Sequence, residues 1–432
     1  MQEQIRKYEI TPAMVERSPH FPCIRLKDAS KSRIRLPRDE LSLRQVEVMR
    51  SRLEPVQDLI DGTFIGLALS DAEFVDLNQR LTTVPDRFAV DFSAKGLYRV
   101  FNDGCLARGG RFYGGWWMNV PKENRFRIYI WNPTDDRPRC AQEIDYSSML
   151  PSLAYAHVGQ KLEGSAYEIP AVVNAFPGTE NEMRGIAKLM LLAMFGVDSG
   201  VRKGKKCARP TARVDGAIVA ELRKTWKFKH GVDYAPRDHR SLLPEGSPRL
   251  AEIRAQLCQK HDVIHEFFFR GEGNALMYEE SQLAETVMCR LANRGIAVFP
   301  IHDSFLVANT HAEELEECMR QVFREMTGQE CDLAFDRNNL QITEAEYGDD
   351  YLQVPIGTFD VGATSEAEYI DQLQDHVGIY TTYYELLEHW APERPIPLLG
   401  GDDSWFVRTD HRGEVVEING ALHTGRYVLP ND

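Results

Sequence analysis

The sequence has no hydrophobic run long enough to cross a membrane. A spanning helix needs about 20 consecutive apolar residues, and no such run occurs in the 432 residues of this chain. The first residues, MQEQIRKYEI, also lack the apolar core of a secretory signal peptide. These absences argue against a membrane protein and against a secreted one. We therefore expect a cytoplasmic protein without a membrane partner.

Clustered cysteines are missing as well. The 8 cysteines are scattered along the chain and no CxxC pair occurs. This pattern argues against a zinc ribbon or a disulfide framework and indicates a reducing compartment. Internal repeats and long low-complexity tracts are also absent. The composition is that of an ordinary globular protein, 43% hydrophobic and 27% charged, and the length predicts two or three domains.

Positive charge is scarce overall, since the net charge is −14, but its distribution is uneven. Residues 332–432 carry 20 acidic and 5 basic side chains, whereas the first 331 residues carry 46 basic and 45 acidic ones. Charge acts locally because salt screens it over about 8–10 Å. The acidic net charge therefore does not exclude a nucleic-acid partner, and the acidic C-terminal segment leaves open a protein partner.

One stretch is strongly basic. Arg202 to Lys229 holds ten Lys or Arg residues against two acidic ones. Two aromatic residues, Trp226 and Phe228, are interleaved with them, a combination that suits binding to nucleic acid. We expect Lys203, Lys205 and Lys206 to contact the nucleic-acid backbone.

Hydrophobic periodicity predicts a mixed α+β fold. The first hundred residues are expected to be mostly helical, with a helix over 40–61 that is interrupted at Pro55. Residues 200–250 are expected to be irregular, and the acidic tail is expected to mix short strands with a helix near 366–390. The other predicted elements are helices over 70–81, 182–196, 250–269, 279–294 and 312–327, a helix that begins near Ser148, strands over 125–131 and 140–146, and a hairpin over 296–308.

Two aspartates are placed where a globular protein seldom puts a charge. Asp145 ends the apolar strand 140–146, and Asp303 lies in the tight turn of the hairpin. A buried carboxylate is costly unless it is paired or bound to metal, and two adjacent carboxylates repel each other. Two Mg²⁺ ions, for which Mn²⁺ can substitute, would remove both problems. Such a pair would also create a site for phosphoryl transfer.

Two cations lie between the aspartates in the sequence. Arg184 and Lys188 stand at positions i and i+4 of a predicted helix, so they share one face. An arginine fork and a lysine point charge are the groups that a triphosphate requires. The four side chains together predict a nucleotidyl-transfer site.

These residues lie in stretches that resemble the right-hand polymerases, most closely family A DNA polymerases and phage-type single-subunit RNA polymerases. The resemblance covers about residues 106–330. DYSSMLPSLAYAHVG is similar to motif A, RGIAKLMLLAMFG to motif B, and the segment ending in PIHDSFLV to motif C. GGRFYGGWWMNVP resembles the Gly-Arg stretch and Asn-x-Pro element that precede motif A. The four stretches occur in the order that the family uses.

The resemblance implies a fold and a set of roles. Residues 106–160 and 280–335 would form a palm whose small antiparallel sheet carries both aspartates, and residues 161–279 would form the fingers with the basic insertion. Residues 1–105 would be a helical thumb-like or accessory region, and residues 336–432 an acidic subdomain. The implied site residues are Asp145, Asp303 and the Tyr146 carbonyl at the metals, Arg184, Lys188, Leu150 and Phe195 at the nucleotide, His302 near the primer end, and Arg111 at the nucleic acid.

The chain departs from the family pattern at three places. Leu150 stands where family A DNA polymerases usually have the Glu that excludes a ribose 2′-hydroxyl. Ser304 follows Asp303, as in single-subunit RNA polymerases. Leu192 and Phe195-Gly196 shift the phase of motif B toward that of family B. The preferred sugar therefore stays open, and no proofreading exonuclease domain is expected.

Three functions are compatible with this pattern. The first is a polymerase that extends a primer from nucleoside triphosphates. The second is a terminal nucleotidyltransferase that needs no template. The third is an inactive polymerase-like module that only binds nucleic acid or a partner protein. The presence of both aspartates and both cations favours an enzyme, because a binding module does not need them.

Overall fold

The computed structural model describes residues 23–67, 69, 71–83, 90, 95–131, 139–198, 209–230 and 235–335, and four short strands between 396 and 422. In this part of the chain, the α-helices are α1 (Glu40–Asp61), α2 (Asp71–Thr83), α3 (Met149–His157), α4 (Pro170–Val173), α5 (Glu180–Gly196), α6 (Pro210–His230), α7 (Leu250–Lys260), α8 (Gly273–Ala292) and α9 (Ala312–Thr327). None of the helices in these residues is long and apolar enough to cross a membrane.

The strands form three sheets. They are β1 (Cys23–Lys27), β2 (Arg33–Ile34), β3 (Phe64–Leu67), β4 (Tyr98–Phe101), β5 (Gly109–Tyr113), β6 (Ile128–Trp131), β7 (Arg139–Tyr146), β8 (Phe299–Ile301), β9 (Ser304–Ala308), β10 (Leu333–Phe335), β11 (Ile396–Pro397), β12 (Phe406–Thr409), β13 (Val415–Ile418) and β14 (Ala421–Leu422). The last four form a sheet of their own, in the order β11-β12-β13-β14. The helix predicted near 366–390 lies outside the described residues.

The first sheet has the order β2-β1-β4-β5. β1 and β4 run parallel, and the other neighbours run antiparallel. This sheet corrects the expectation of a mostly helical N-terminal region: α1 and α2 were predicted, whereas β1, β2, β3 and β4 were not. These strands are short, from two to five residues, and a strand of that length leaves little periodicity to detect.

The second sheet has the order β3-β6-β7-β9-β8 and is antiparallel. β7 pairs with β9 along one edge, and its end pairs with β10 along the other. With six strands, the sheet is larger than the small one that was expected. β7 and the β8–β9 hairpin were both predicted from the sequence, and they bring the two aspartates into one sheet.

Several elements differ from their predictions. α7 ends at Lys260 rather than at 269, α8 begins at Gly273 rather than at 279, and β6 begins at Ile128 rather than at 125. α1 continues through Pro55 without a break, because Leu53, Val56 and Ile60 all keep the same face of the helix buried. α6 occupies 21 residues of the region that was expected to be irregular. Its many Lys and Arg residues obscure a short apolar stripe in which Val214 and Ile218 are buried one turn apart.

One hydrophobic core joins the second sheet to the helices around it. It includes β7, β8 and β9 of the sheet and extends through α5, α7, α8 and α9. Trp116 and Trp117, which could have formed a base-stacking platform, are fully buried in it. A second, smaller cluster lies between the first sheet and α1.

Candidate active site

The structure brings Asp145 and Asp303 together at one end of the second sheet. In the register of β7 and β9, Asp145 lies opposite Ser304, the residue after Asp303. The backbone N–H of Tyr146 donates a hydrogen bond of 3.3 Å to the carbonyl oxygen of Asp303. The neighbouring Glu143 pairs with Arg125 at 2.8 Å and accepts a hydrogen bond of 2.8 Å from Ser304. These contacts hold the hairpin turn against the end of β7.

Asp145 has an unfavourable electrostatic environment. Burial and the negative charges of Asp303 and Glu143 raise its pKa to about 7, although Lys188 and Lys122 oppose the shift. Its Oδ1 atom is buried and has no hydrogen-bond partner among the described residues. Burial and a like charge both disfavour the ionised form. A cation between the two carboxylates would relieve both.

His302 occupies the strained position of the hairpin turn. Its φ angle is 60°, in the left-handed region that few non-glycine residues adopt. Its ring makes an edge contact with that of Tyr113, with 5.3 Å between the ring centroids. Burial, together with the positive charge of Arg111, lowers the pKa of His302, so the imidazole is neutral at pH 7. The residue directly precedes Asp303 in the hairpin turn.

α5 carries both predicted cations, and one of them, Lys188, is close enough to act on Asp145. Arg184 and Lys188 are exposed, and neither has a carboxylate partner among the residues that the structure describes. The guanidinium of Arg184 lies over the ring of Tyr167, with 5.1 Å from Cζ to the ring centroid. The positive charge of Lys188 acts on Asp145, whose pKa it lowers. The helix therefore carries two cations that are not ion-paired with any described carboxylate, and Lys188 is the one that acts on Asp145.

Tyr167 is part of this group, and the sequence analysis missed it. Burial raises its pKa, as do the charges of Asp303 and Asp145, while a hydrogen bond with Ser148 and the charge of Arg184 lower it. Tyr167 thus lies between the carboxylates and the arginine. It stands in an irregular segment before α4, and no motif around it marks it in the sequence.

Arg111 makes a two-pronged ion pair with Glu280 of α8. Its Nε and Nη2 atoms donate hydrogen bonds of 2.6 Å to the two carboxylate oxygens. Burial raises the pKa of Glu280 to about 7 even though Arg111 opposes the shift. Burial alone would lower the pKa of Arg111, but Glu280 and Asp303 outweigh it, so the arginine stays charged. The residue predicted to contact nucleic acid therefore lies near Asp303, and two of its guanidinium nitrogens are bound to Glu280.

The other predicted site residues are placed less favourably. Phe195 is fully buried and packs against Phe268, with 5.5 Å between the ring centroids, so its ring offers no face to a nucleotide. Leu150 is buried under the site. The Tyr146 hydroxyl donates a hydrogen bond of 2.8 Å to the Met319 carbonyl, which leaves only its backbone for the site. Lys203, Lys205 and Lys206 lie outside the described residues.

The carboxylates fit a metal that takes few protein ligands. Among the described residues, no group of three or more His, Cys, Asp or Glu side chains could hold a metal ion. Mg²⁺ is usually bound by one or two carboxylates, with water and substrate phosphates completing its shell. Asp145 and Asp303 supply two, and the partnerless Oδ1 of Asp145 is a free ligand atom. The residues present therefore fit Mg²⁺ and do not form an all-protein cage.

Comparison with known proteins gives a weak likeness to solved structures. No family model matches the chain, and no curated protein does. Among solved structures, it is similar to the polymerase domain of Pol1 from M. smegmatis, solved with a DNA primer-template and dNTP, at a TM-score of 0.28 and 14% identity. The alignment covers 68% of this chain and 51% of that one, so this chain spans about half its length. At this overlap the likeness is coarse, and the functional conclusion depends on the geometry of this chain.

Proposed function

We propose that this protein is a nucleotidyltransferase that adds nucleotides to the 3′-hydroxyl of a nucleic acid and releases pyrophosphate. The observation that carries the proposal is the meeting of four groups at one place. Asp145 and Asp303 lie together at the end of the second sheet. The charge of Lys188 on α5 acts on Asp145, and the charges of Arg184 and of both aspartates act on Tyr167. Neither cation has a carboxylate partner among the described residues. Two carboxylates opposite two uncommitted cations are what a metal–triphosphate substrate requires.

Asp145, Asp303 and the Tyr146 carbonyl would hold two Mg²⁺ ions. When bound, these ions would activate the 3′-hydroxyl and neutralise the charge that develops on the leaving pyrophosphate. The protein itself positions the two carboxylates that would hold these ions. The contact of the Tyr146 N–H with Asp303 keeps the two carboxylates side by side, and the Glu143–Arg125 pair holds the strand on which Asp145 lies.

Arg184 and Lys188 would bind the triphosphate. The arginine fork suits two phosphate oxygens at once, and the lysine supplies a mobile point charge. Tyr167 supports the guanidinium of Arg184 from one side, which leaves the donor groups at its edge for the phosphates. Neutral His302, beside Asp303, is placed to contact the strand end that carries the 3′-hydroxyl.

Selection of the sugar and of the template depends on two side chains of the site, and in this chain both are apolar and buried. Leu150 presents no carboxylate that would exclude a ribose 2′-hydroxyl, and Phe195 is buried and offers no ring for the incoming base. We therefore propose that selection against ribonucleotides is weak. Extension with and without a complementary template is the measurement that separates a polymerase from a terminal transferase.

The test is a primer-extension assay with Mg²⁺ or Mn²⁺. Wild-type protein would be given a primer–template and a bare single strand, with dNTPs and NTPs in separate reactions. We expect extension by wild type and a loss of about 10³-fold or more in Asp303→Asn, because charge stabilisation is the main source of catalysis here. Asp262→Asn, the same change at an exposed aspartate away from the site, serves as the control. Absence of product under every condition would contradict the proposal.

A further inference from the structure

The N-terminal sheet has an edge of unusual charge. The stretch KSRIRLPR, residues 31–38, contains four cations and no acid, and Arg44 follows in the first turns of α1. All five side chains are exposed, and none has an ion-pair partner in the part of the chain that the structure describes. We call this group, Lys31, Arg33, Arg35, Arg38 and Arg44, the basic edge.

The neighbouring acidic residues Asp28, Asp39 and Glu40 form no ion pair with the basic edge in the part of the chain that the structure describes. Asp28 accepts hydrogen bonds of 2.8 Å and 3.0 Å from the backbone N–H groups of Ser30 and Ser32, and one of 2.6 Å from the Ser30 hydroxyl. Asp39 accepts a hydrogen bond of 2.9 Å from the Ser42 N–H at the start of α1. Both carboxylates are thus occupied by backbone in local turns. The five cations keep their charge for a partner outside this segment.

The basic edge is connected to the candidate active site by one face of the sheet. Side chains alternate between faces along a strand, so Arg25 and Lys27 of β1 share a face. Lys27 pairs with Arg33 of β2. Toward β5, Arg25 pairs with Val100 of β4, and Val100 pairs with Arg111 of β5. Arg111 therefore lies on the same face of the sheet as Arg25. The opposite face, with Ile24, Leu26 and Phe101, is buried against α1.

Ring contacts continue along the same face to the hairpin of Asp303. The guanidinium of Arg25 lies 3.5 Å from the ring centroid of Tyr98. Tyr98 stacks on Tyr113 with 5.8 Å between centroids, and Tyr113 meets His302 at 5.3 Å. An unbroken row of polar and aromatic side chains therefore leads from the sheet edge to the aspartates.

We propose that the basic edge binds the sugar–phosphate backbone of the same nucleic-acid strand whose 3′ end lies at Asp145 and Asp303. Exposed Arg and Lys side chains are the usual ligands of phosphates in such complexes. This inference rests on the proposed function, because it takes the aspartates as the position of the strand end.

The geometry also gives the length of strand involved. β2 and β5 are separated by three strand spacings, roughly 14 Å. A nucleic-acid strand advances about 3.4 Å per nucleotide in a helix. The basic edge therefore contacts phosphates about four to six nucleotides from the 3′ end. An oligonucleotide shorter than that cannot reach the basic edge while its 3′ end lies at the aspartates.

The experiment compares oligonucleotide binding by two charge-matched variants. Arg33→Gln/Arg35→Gln removes two cations of the basic edge, and Arg249→Gln/Arg294→Gln removes two exposed cations elsewhere. Fluorescence anisotropy would be measured with 4-nucleotide and 12-nucleotide single strands, in EDTA and without triphosphate. Because neither metal nor catalysis is involved, failure of the proposed enzyme activity would not decide this result. Thermal unfolding would check that both variants fold.

We expect Arg33→Gln/Arg35→Gln to bind the 12-mer about tenfold more weakly than wild type, with a salt slope lower in magnitude by about 1.4. Binding of the 4-mer should be unchanged, and the Arg249→Gln/Arg294→Gln variant should match wild type with both. Equal losses for the two lengths would overturn the proposal. An unchanged affinity of Arg33→Gln/Arg35→Gln for the 12-mer would also overturn it. If that variant instead lost binding to phosphatidylserine vesicles and kept its affinity for the 12-mer, the basic edge would be a membrane-binding surface.

Discussion

The ionised carboxylate of Asp145 lowers the free energy of unfolding of this protein. Its ordinary pKa is 3.8, and in the folded protein burial and the charge of Asp303 raise it to about 7. The folded protein therefore holds this proton more tightly than the unfolded chain does. The resulting stabilisation is fully present below the unfolded pKa of about 4. It is lost as the pH rises from about 4 through about 7, because the unfolded chain releases its proton first. Above pH 7 the folded protein carries a destabilising charge.

Replacing this carboxyl should stabilise the protein at high pH. We expect Asp145→Asn to raise the free energy of unfolding by about 1–3 kcal/mol at pH 8 and by much less at pH 5. Urea denaturation at both pH values measures the difference. Mg²⁺ at pH 8 should stabilise wild type more than Asp145→Asn. A variant that is less stable than wild type at pH 8 would contradict the assigned environment of Asp145.

Tyr167 allows a test of the triphosphate contacts. Its ring lies under the guanidinium of Arg184, and such a cation–π contact contributes about 0.5–2 kcal/mol. Tyr167→Leu should therefore raise KM for the triphosphate several-fold with a smaller effect on kcat, whereas Tyr167→Phe should retain most of the contact. Steady-state kinetics on the primer–template measures both. An equal rise of KM in both variants would show that the hydroxyl, not the ring, is what matters.

At the scale of elements, the position of α5 depends on a close approach to α8. Gly273 begins α8, and a Cβ atom there would lie 3.2 Å from the Cα and N atoms of Gly196 at the end of α5. Backbone atoms cannot move aside as a flexible side chain can. The absence of a side chain at position 273 therefore sets how closely the helix of Arg184 and Lys188 approaches α8.

The two glycines should respond differently to alanine. Gly273→Ala should destabilise the protein by about 1–3 kcal/mol and reduce extension activity, because α5 must shift with its two cations. Gly196→Ala is the matched control, since a Cβ at position 196 meets no atom within 4 Å. It should be neutral or stabilising by up to about 1 kcal/mol. Thermal unfolding and primer extension of the pair measure both effects, and equal behaviour of the two variants would disprove the close approach.

At the scale of the whole molecule, the proposed palm and fingers share one core. Leu257 of α7 and Phe305 of β9 are fully buried members of the same hydrophobic cluster. The two regions therefore do not have separate interiors. We expect them to unfold together rather than as independent units.

Truncation of a core side chain in the proposed fingers should also destabilise the proposed palm, and the reverse should hold. Leu257→Ala and Phe305→Ala should each lower the free energy of unfolding by about 2–5 kcal/mol. Native-state hydrogen exchange should show reduced protection in both α7 and β9 for either variant. Leu41→Ala, at a leucine that is 78% exposed, should change neither. Loss of protection confined to the mutated region would mean that palm and fingers are separate folding units.

The sequence by itself determined the elements whose patterns are local and strong. Residues 312–327 form a helix with the predicted bounds, and the helix ends at Gly328, whose φ of 72° suits glycine. β7 and the β8–β9 hairpin follow from apolar runs bounded by polar turns. Asp145, Asp303, Arg184 and Lys188 could be selected because a charge at the end of an apolar strand, or a cation pair at helical spacing, is visible in the chain.

Only the tertiary structure decided which short strands form, which side chains pair across the chain and which rings are buried, because each of these depends on residues far away in the sequence. The strands β1 and β2 are too short for a pattern; β1 forms beside β4, which is more than 70 residues later in the chain, and β2 pairs with β1. Arg111 is held by Glu280, which is 169 residues away in the chain, and Tyr167 joins the site through contacts that no motif records. Phe195 is buried because Phe268 packs on it. Burial and pairing between remote segments depend on how elements pack, and packing is a property of the folded chain rather than of any local stretch.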